Sequence, residues 1–253
     1  MLLFIEQLLN GLQLGIMLFL MSAGLTLVFG IMQVINLAHG SFYMIGAYVG
    51  ATVTSRTGSF LLGVLAALAA AALAGMVVEL LVLRRLYTKD HLDQVLATFG
   101  LIMFFNELTR IIWGRQPLFM DVPAWLSGSI ALIPGIPYPS YRLAVIAVGV
   151  LVALLLYLLF TRTRIGMQIR AGADNREIAG ALGVNIRLLY TLVFGLGTLL
   201  AGLAGVMAGP ILAVEAGMGE SILILTFVVI VIGGIGSIRG ALVGAILVGL
   251  VAT

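Results

Sequence analysis

Polar side chains able to do chemistry are scarce in this 253-residue sequence, and they gather in two short stretches. The first, residues 161–190, is the longest charged segment and holds five of the thirteen basic residues. The second, residues 36–41 with the sequence Asn-Leu-Ala-His-Gly-Ser, interrupts a long apolar region. Both stretches offer hydrogen bonding and charge complementarity, and neither contains a set of residues that would break or form covalent bonds.

The composition excludes several classes of function. Hydrophobic residues make up 62% of the chain and charged residues 9%, whereas a soluble domain carries about 25% charged residues. There is no cysteine, so a disulfide framework or a thiolate metal site is excluded. The only lysine, Lys89, is followed by Asp90, so the phosphate-binding loop G-x-x-x-x-G-K-[ST] is absent. With no Ser-His-acid set and no histidine pair at metal-ligand spacing, we expect no catalytic residues and no metal site.

The positions of the acidic residues argue against an ion-driven carrier. Such carriers bury acidic side chains in the middle of their membrane spans, where the ions are relayed. In this sequence every acidic residue lies in a predicted loop or near the end of a predicted span. The sequence therefore predicts a solute pathway whose energy source is elsewhere.

Basic residues orient the predicted spans. Short loops rich in Lys and Arg remain on the cytoplasmic side of a membrane, which places residues 161–190 in the cytoplasm. Eight spans with an extracytoplasmic N-terminus put nine basic residues on the cytoplasmic side and four on the outer side, and the inverted topology reverses this ratio. The expected fold class is an all-α polytopic membrane protein with about eight transmembrane helices.

The stretch at residues 36–41 predicts either a helix start or a broken helix. The apolar run that follows it, residues 42–54, has 13 residues. This is about 20 Å as a helix, short of the roughly 30 Å hydrocarbon core. Unwound backbone at depth is tolerated only against protein or a water-filled cavity. We expect Asn36, His39 and Ser41 to line the substrate pathway toward its cytoplasmic end. The alternative for His39 is a helix-start residue at the cytoplasmic interface.

Small residues recur every four positions in two of the predicted spans. Such faces let transmembrane helices approach closely, so they predict packing surfaces. The two sets are Gly63, Ala67, Ala71 and Gly75, and Gly197, Ala201, Gly205 and Gly209.

A short helix is predicted within the charged segment. Asp174 followed by Glu177 has the spacing of a capping box, with Asp174 as the N-cap. Ile178 and Leu182 then fall on one face, and Gly183 is placed to end the helix in a left-handed conformation. A helix of this kind suits the groove of a partner protein. The alternative is a helix resting on anionic lipid, which its small apolar face makes the weaker interpretation.

Several motifs along the whole chain carry a family resemblance. They are Gly24-Leu25-Thr26 with Phe29-Gly30, Asn36-Leu37-Ala38-His39-Gly40 leading to Gly46-Ala47-Tyr48, Arg170-Ala171 followed by Ala179, Gly183 and Asn185, then Ala201-Gly202-Leu203-Ala204-Gly205 and Gly233-Gly234-Ile235-Gly236-Ser237. In this combination the sequence resembles the LivH-type permease subunits of branched-chain amino acid ABC importers.

The resemblance implies an ABC-importer permease fold. The whole chain, residues 1–253, would form one transmembrane permease domain that ends inside its final helix. Residues 161–190 would be its cytoplasmic coupling loop. The residues expected to contact the ATPase subunits are Arg170, Asp174, Glu177, Ile178, Leu182, Gly183 and Asn185.

The resemblance also implies partners and a location. A second homologous permease, most simply in a heterodimer, two cytoplasmic ATPase subunits and an extracytoplasmic substrate-binding protein would complete the importer. ATP would be used by the partner subunits, and the chain itself would bind no cofactor. It would be a multi-pass protein of the bacterial inner membrane, surrounded by lipid, with no nucleic-acid partner.

Two classes of function remain open at this point. The first is an ABC importer permease that moves branched-chain amino acids. The second is a stand-alone channel or facilitator for a small solute such as urea or an amide, because similar permeases serve such solutes. The predicted coupling helix favours the first class, since a channel needs no ATPase contact. An enzyme is not expected, for want of any catalytic set.

Overall fold

The computed structural model describes residues 2–87, 89–133 and 136–253, and helices dominate these ranges. Ten α-helices run through them in chain order: α1 Leu2–Met32, α2 His39–Thr57, α3 Phe60–Leu81, α4 His91–Trp113, α5 Ser140–Arg162, α6 Arg164–Asp174, α7 Arg176–Ala181, α8 Ile186–Ala208, α9 Met218–Gly233 and α10 Ile238–Val251. The α4–α5 connection contains an antiparallel hairpin of β1 Ser129–Ile133 and β2 Ile136–Pro139.

Five of these helices, α1, α3, α4, α5 and α8, are long and apolar enough to cross a membrane by themselves. Helices α9 and α10 qualify only as a pair bent by 120°. Their 16 and 14 residues rise only about 24 Å and 21 Å. The all-α polytopic fold is confirmed, and each of the eight predicted spans coincides with a helix. The count of eight separate crossings is not confirmed, because α2, α9 and α10 each fail the test as single helices.

Helix α2 lies at the centre of the bundle. It packs against α3, α8 and α9 and also touches α4, and eleven of its nineteen residues are buried. Helices α1 and α8 are also largely buried, whereas most of α4 and α5 is exposed and available to lipid. Because protein surrounds α2, polar side chains at its start avoid the cost that they would meet in lipid.

The two faces of small residues are packing surfaces, as predicted. Ala71 is buried on α3, which packs on α2 and α8. A Cβ atom added at Gly205 of α8 would collide with the carbonyl oxygen of Tyr43 in α2. A Cβ atom at Gly75 of α3 would collide with the hydroxyl of Thr198 in α8. The absent side chains therefore let α2, α3 and α8 pack closely against one another.

A buried carboxylate ties the end of α3 to the start of α8. Glu79 is fully buried and accepts hydrogen bonds from Arg84 Nε and Nη2 at 3.2 and 3.1 Å. The hydroxyls of Tyr87 and Thr191 also donate to Glu79, each at 2.7 Å. Burial, and then the hydrogen bond to this carboxylate, raise the pKa of Tyr87, which keeps the phenol protonated as a donor. Both carboxylate oxygens therefore have hydrogen-bond donors, which offset the cost of burying the group.

Candidate functional site

The first candidate site is the unwound segment between α1 and α2. Helix α1 ends at Met32 and α2 begins at His39. Gln33 has a φ of +53°, in the left-handed region, which stops α1 and turns the chain. The Asn36 side chain then accepts a hydrogen bond from the backbone N–H of Ala38 at 3.1 Å. This local bond begins the turn from which α2 starts.

After α1 ends, the unwound segment runs back beside α1 toward the inside of the bundle. A Cβ atom on Gly24 would lie 3.1 Å from His39 Nε2, so the imidazole packs against the α1 backbone there. Gly24 is eight residues before the end of α1, or about 12 Å of helix. Leu37 packs with Leu25 and Leu223 at the same level. The break therefore packs inside the bundle, against the backbone of α1.

The first turns of α2 and α9 meet beside this segment. A Cβ atom on Gly40 would collide with the carbonyl of Gly219, and a Cβ atom on Gly219 with the carbonyl of Gly40. The N-terminus of a helix carries partial positive charge. The first turn of α2 contains no acidic residue, whereas that of α9 contains Glu220. The start of α2 is therefore the positive helix end without an acidic residue, and it suits an anionic group such as a carboxylate.

The structure brings the three predicted pathway residues together at the start of α2. Asn36 and His39 are fully buried and Ser41 is 4% exposed. Within the described part of the chain, Asn36 Nδ2 has no hydrogen-bond partner, and the His39 ring faces the Met21 backbone without a hydrogen bond of good geometry. A buried polar group without a partner costs about 1–3 kcal/mol. These groups can therefore bind a water molecule or a solute that enters the bundle.

Gln94 supports the break, and sequence reasoning did not single it out. It is 3% exposed at the start of α4. Its Oε1 accepts a hydrogen bond from the backbone N–H of Ile35 at 3.4 Å, and its Nε2 donates to the carbonyls of Leu86 and Lys89. The available signal was an amide in the first turn of α4, immediately before its apolar run.

The second candidate site is the α6–α7 segment. Helix α7 begins after Asn175, whose Oδ1 accepts hydrogen bonds from the backbone N–H groups of Glu177 and Ile178, each at 3.0 Å. Asp174 is instead the last residue of α6. The prediction of Asp174 as the N-cap is therefore wrong by one residue. The reason is that Asn175 has the extended backbone conformation of a cap, whereas α6 continues through Asp174.

Helix α7 presents an apolar edge to its surroundings. Ile178 is 59% exposed and Leu182 is 80% exposed, while Ala179 on the other side is buried. Gly183 has a φ of +90° and terminates the helix in the left-handed conformation, as predicted. Asn185 caps α8 by accepting a hydrogen bond from the backbone N–H of Leu188 at 3.1 Å. Arg170 and Glu177 are exposed beside this edge.

The connections on the other side of the bundle form a second exposed surface. Leu118 and Val214 exchange backbone hydrogen bonds, each at 2.9 Å, and join the α4–α5 and α8–α9 connections. Phe119 is 81% exposed and Trp125 74% exposed beside them. In the described residues, no group of three or more His, Asp or Glu side chains could hold a metal ion.

Comparison with known proteins gives a consistent assignment. The family model described as "Branched-chain amino acid transport system / permease component" matches residues 7–253. The high-affinity branched-chain amino acid transport system permease protein BraD of Pseudomonas aeruginosa is 31% identical, over 97% of this chain and 84% of BraD. The corresponding LivH protein of Escherichia coli is 29% identical, over 98% of this chain and 84% of LivH.

A more distant relative has another solute in its name. The ribose import permease protein RbsC of Escherichia coli is 27% identical, over 91% of this chain and 71% of RbsC. No solved structure matches the chain significantly. The family match covers nearly all of the chain, including both candidate sites. The chain therefore belongs to the family of permease components of branched-chain amino acid transport systems.

Proposed function

We propose that this permease subunit of an ABC importer moves branched-chain amino acids, leucine, isoleucine and valine, across the bacterial inner membrane. The observation that carries the proposal is the family match over residues 7–253. The names of BraD and LivH, which align over nearly the whole chain, support the substrate class. The protein is a transport subunit and not an enzyme. A stand-alone channel is not favoured, because the family works as the permease component of a transport system.

The proposed topology places the N-terminus outside the cell. It rests on the basic residues of the α6–α7 segment, since cytoplasmic loops are enriched in Lys and Arg. The end of α1, the α3–α4 connection and the α9–α10 turn then face the cytoplasm. The β hairpin and its neighbouring connection face outward, where an extracytoplasmic substrate-binding protein would dock.

The proposed coupling surface is residues 161–190, with α7 as its protruding element. Ile178 and Leu182 would enter a groove on an ATPase subunit, as an amphipathic helix does in many complexes. The surrounding contacts would come from Arg170, Asp174, Glu177, Gly183 and Asn185.

ABC importers in general combine permeases with ATPase and substrate-binding partners. The finer proposal is a heterodimer with a second homologous permease and two ATPase subunits, which use the ATP, while this chain binds no cofactor.

The proposed pathway passes the start of α2. The unpartnered groups of Asn36 and His39, together with Ser41, would hydrogen-bond a passing solute or its water. The N-terminus of α2, whose first turn has no acidic residue, would attract its carboxylate. The bundle otherwise offers apolar side chains, which suit a branched aliphatic side chain. An importer fed by a separate binding protein gains nothing from a second tight site, so these contacts need only be weak.

The experiment is uptake by the importer reconstituted in proteoliposomes with its ATPases, second permease and binding protein. We expect ATP-dependent accumulation of labelled leucine, isoleucine and valine, competed by each other. Ribose and urea serve as control solutes. Uptake of urea without ATP or partners would contradict the proposal and support a channel. ATP-dependent uptake of ribose alone would keep the importer assignment and overturn the substrate class.

A further inference from the structure

A lateral cleft opens between α5 and α10. Both helices pack on α1, which forms the floor of the cleft, and α6 closes one end of it. The cavity has a volume of about 430 Å³, within the range of small-molecule sites. Its walls are mainly apolar and include Phe19, Leu27, Ile31, Leu156, Phe160 and Leu242. The walls therefore suit a hydrocarbon chain entering from the membrane.

Two arginines lie at one end of this cleft. Arg170 comes from α6 and Arg239 from the start of α10, and both are exposed. The guanidinium of Arg239 lies over the ring of Tyr157, 5.9 Å from its centroid, and so reaches from α10 to α5. Among the described residues, neither arginine forms a salt bridge with an acidic side chain. The two positive charges at this end of the cleft are therefore not paired by any described acidic side chain.

A buried hydroxyl lies farther inside the same cleft. Thr26 lines it from α1 and is 1% exposed. Its Oγ1 has no hydrogen-bond partner in the described part of the chain. Thr26 is six residues before the end of α1, about 9 Å of helix from it. This hydroxyl is a second, independent indication of a ligand, since buried polar groups are normally paired.

We propose that the cleft binds an anionic phospholipid of the cytoplasmic leaflet. Its phosphate lies between Arg170 and Arg239, because guanidinium groups match phosphate oxygens in geometry and charge. One acyl chain lies along α1 between α5 and α10, and the Thr26 hydroxyl donates to a glycerol ester carbonyl. Basic pockets between transmembrane helices on the cytoplasmic side suit such lipids. Only the assignment to that leaflet rests on the topology proposed above.

Charge complementarity favours a lipid over a protein helix as the occupant. A protein segment that filled the apolar part would cover two guanidinium groups without supplying an anion, and a buried unpaired charge is costly. A phospholipid brings the hydrocarbon chain and the anion in one molecule. A neutral or zwitterionic lipid satisfies the walls equally well and the arginines less well. The proposal therefore predicts selectivity for an anionic head group.

The test is native mass spectrometry of the assembled importer during titration with phosphatidylglycerol or phosphatidylethanolamine. We expect tighter retention of phosphatidylglycerol, weakened about fivefold for each arginine replaced, and so roughly 25-fold in the double variant R170Q/R239Q. The matched control is R162Q/R164Q, which removes two neighbouring charges that do not line the cleft. An equal loss in both double variants, or no loss in either, would overturn the proposal.

Two further variants test the apolar part without changing charge. Ala153→Trp places a bulky ring into the cleft and should also reduce phosphatidylglycerol retention. A photoreactive benzoylphenylalanine replacing Leu242, which lines the cleft, should form cross-links to lipid in the assembled importer. Cross-links to a protein segment instead would show that protein fills the cleft, and would refute lipid binding there. This readout remains decisive if Ala153→Trp fails to assemble.

Discussion

Gly40 and Gly219 hold the first turns of α2 and α9 in direct backbone contact, and neither residue has room for a Cβ atom. We therefore expect Gly40→Ala or Gly219→Ala to push the two helix starts apart. Overpacking of this kind costs about 1–3 kcal/mol, and transport should fall with stability. Thermal unfolding and uptake measure the two effects. Gly100→Ala is the control, because nothing lies within 4 Å of a Cβ atom there. A loss of stability as large at Gly100 would contradict the importance of the contact.

Substitutions on α7 should separate ATP hydrolysis from transport. Ile178→Asp and Leu182→Asp each place a charge on the exposed apolar edge. Loss of an interface anchor costs about 2 kcal/mol or more, which is roughly 30-fold in affinity. Substrate-stimulated ATPase activity of the reconstituted importer is the measurement. Leu92→Asp, at a similarly exposed leucine at the start of α4 outside residues 161–190, should leave that activity unchanged. Full stimulation in both α7 variants would rule out α7 as the coupling element.

The position of the α7 N-cap can be tested by two neighbouring substitutions. Asn175→Ala removes both side-chain hydrogen bonds to the first turn and should cost about 1 kcal/mol of local helix stability. Asp174→Ala should have no such effect, because Asp174 ends α6. Hydrogen exchange of the α7 amides distinguishes the two variants. Faster exchange in Asp174→Ala alone would restore the cap that the sequence predicts.

The unwound segment before α2 should affect both stability and transport. Asn36→Ala removes the acceptor of the Ala38 N–H bond. His39→Ala leaves a cavity against α1, so thermal unfolding is measured beside uptake. We expect slower leucine uptake with unchanged basal ATPase activity. Normal uptake in both variants would assign the segment a structural role and place the gate elsewhere.

The proposed topology can be checked by single cysteines, because the chain has none of its own. Arg170→Cys and Lys89→Cys should react with membrane-impermeant reagents only from the cytoplasmic side. Asp121→Cys should react only from outside. Labelling of position 170 in intact cells would invert the whole arrangement.

The sequence by itself determined features that depend on neighbouring residues. Long apolar runs predict membrane helices, because in lipid every backbone group must be paired within the segment. The small-residue repeats around Ala71 and Gly205 predicted close helix packing, because small side chains at four-residue spacing form one smooth helix face. Gly183 could be assigned to a helix end because glycine accepts its positive φ without strain.

Only the tertiary structure decided where the break before α2 lies. Its depth depends on contacts between residues distant in sequence, such as His39 against Gly24 and Gly40 against Gly219. The bend between α9 and α10 also depends on tertiary packing. Each helix is too short to cross a membrane alone, and the angle between them is not encoded in either helix. The cap at Asn175 rather than Asp174 followed from how far α6 extends. The cleft between α5 and α10 exists because both helices pack on α1, which no local pattern in either helix specifies.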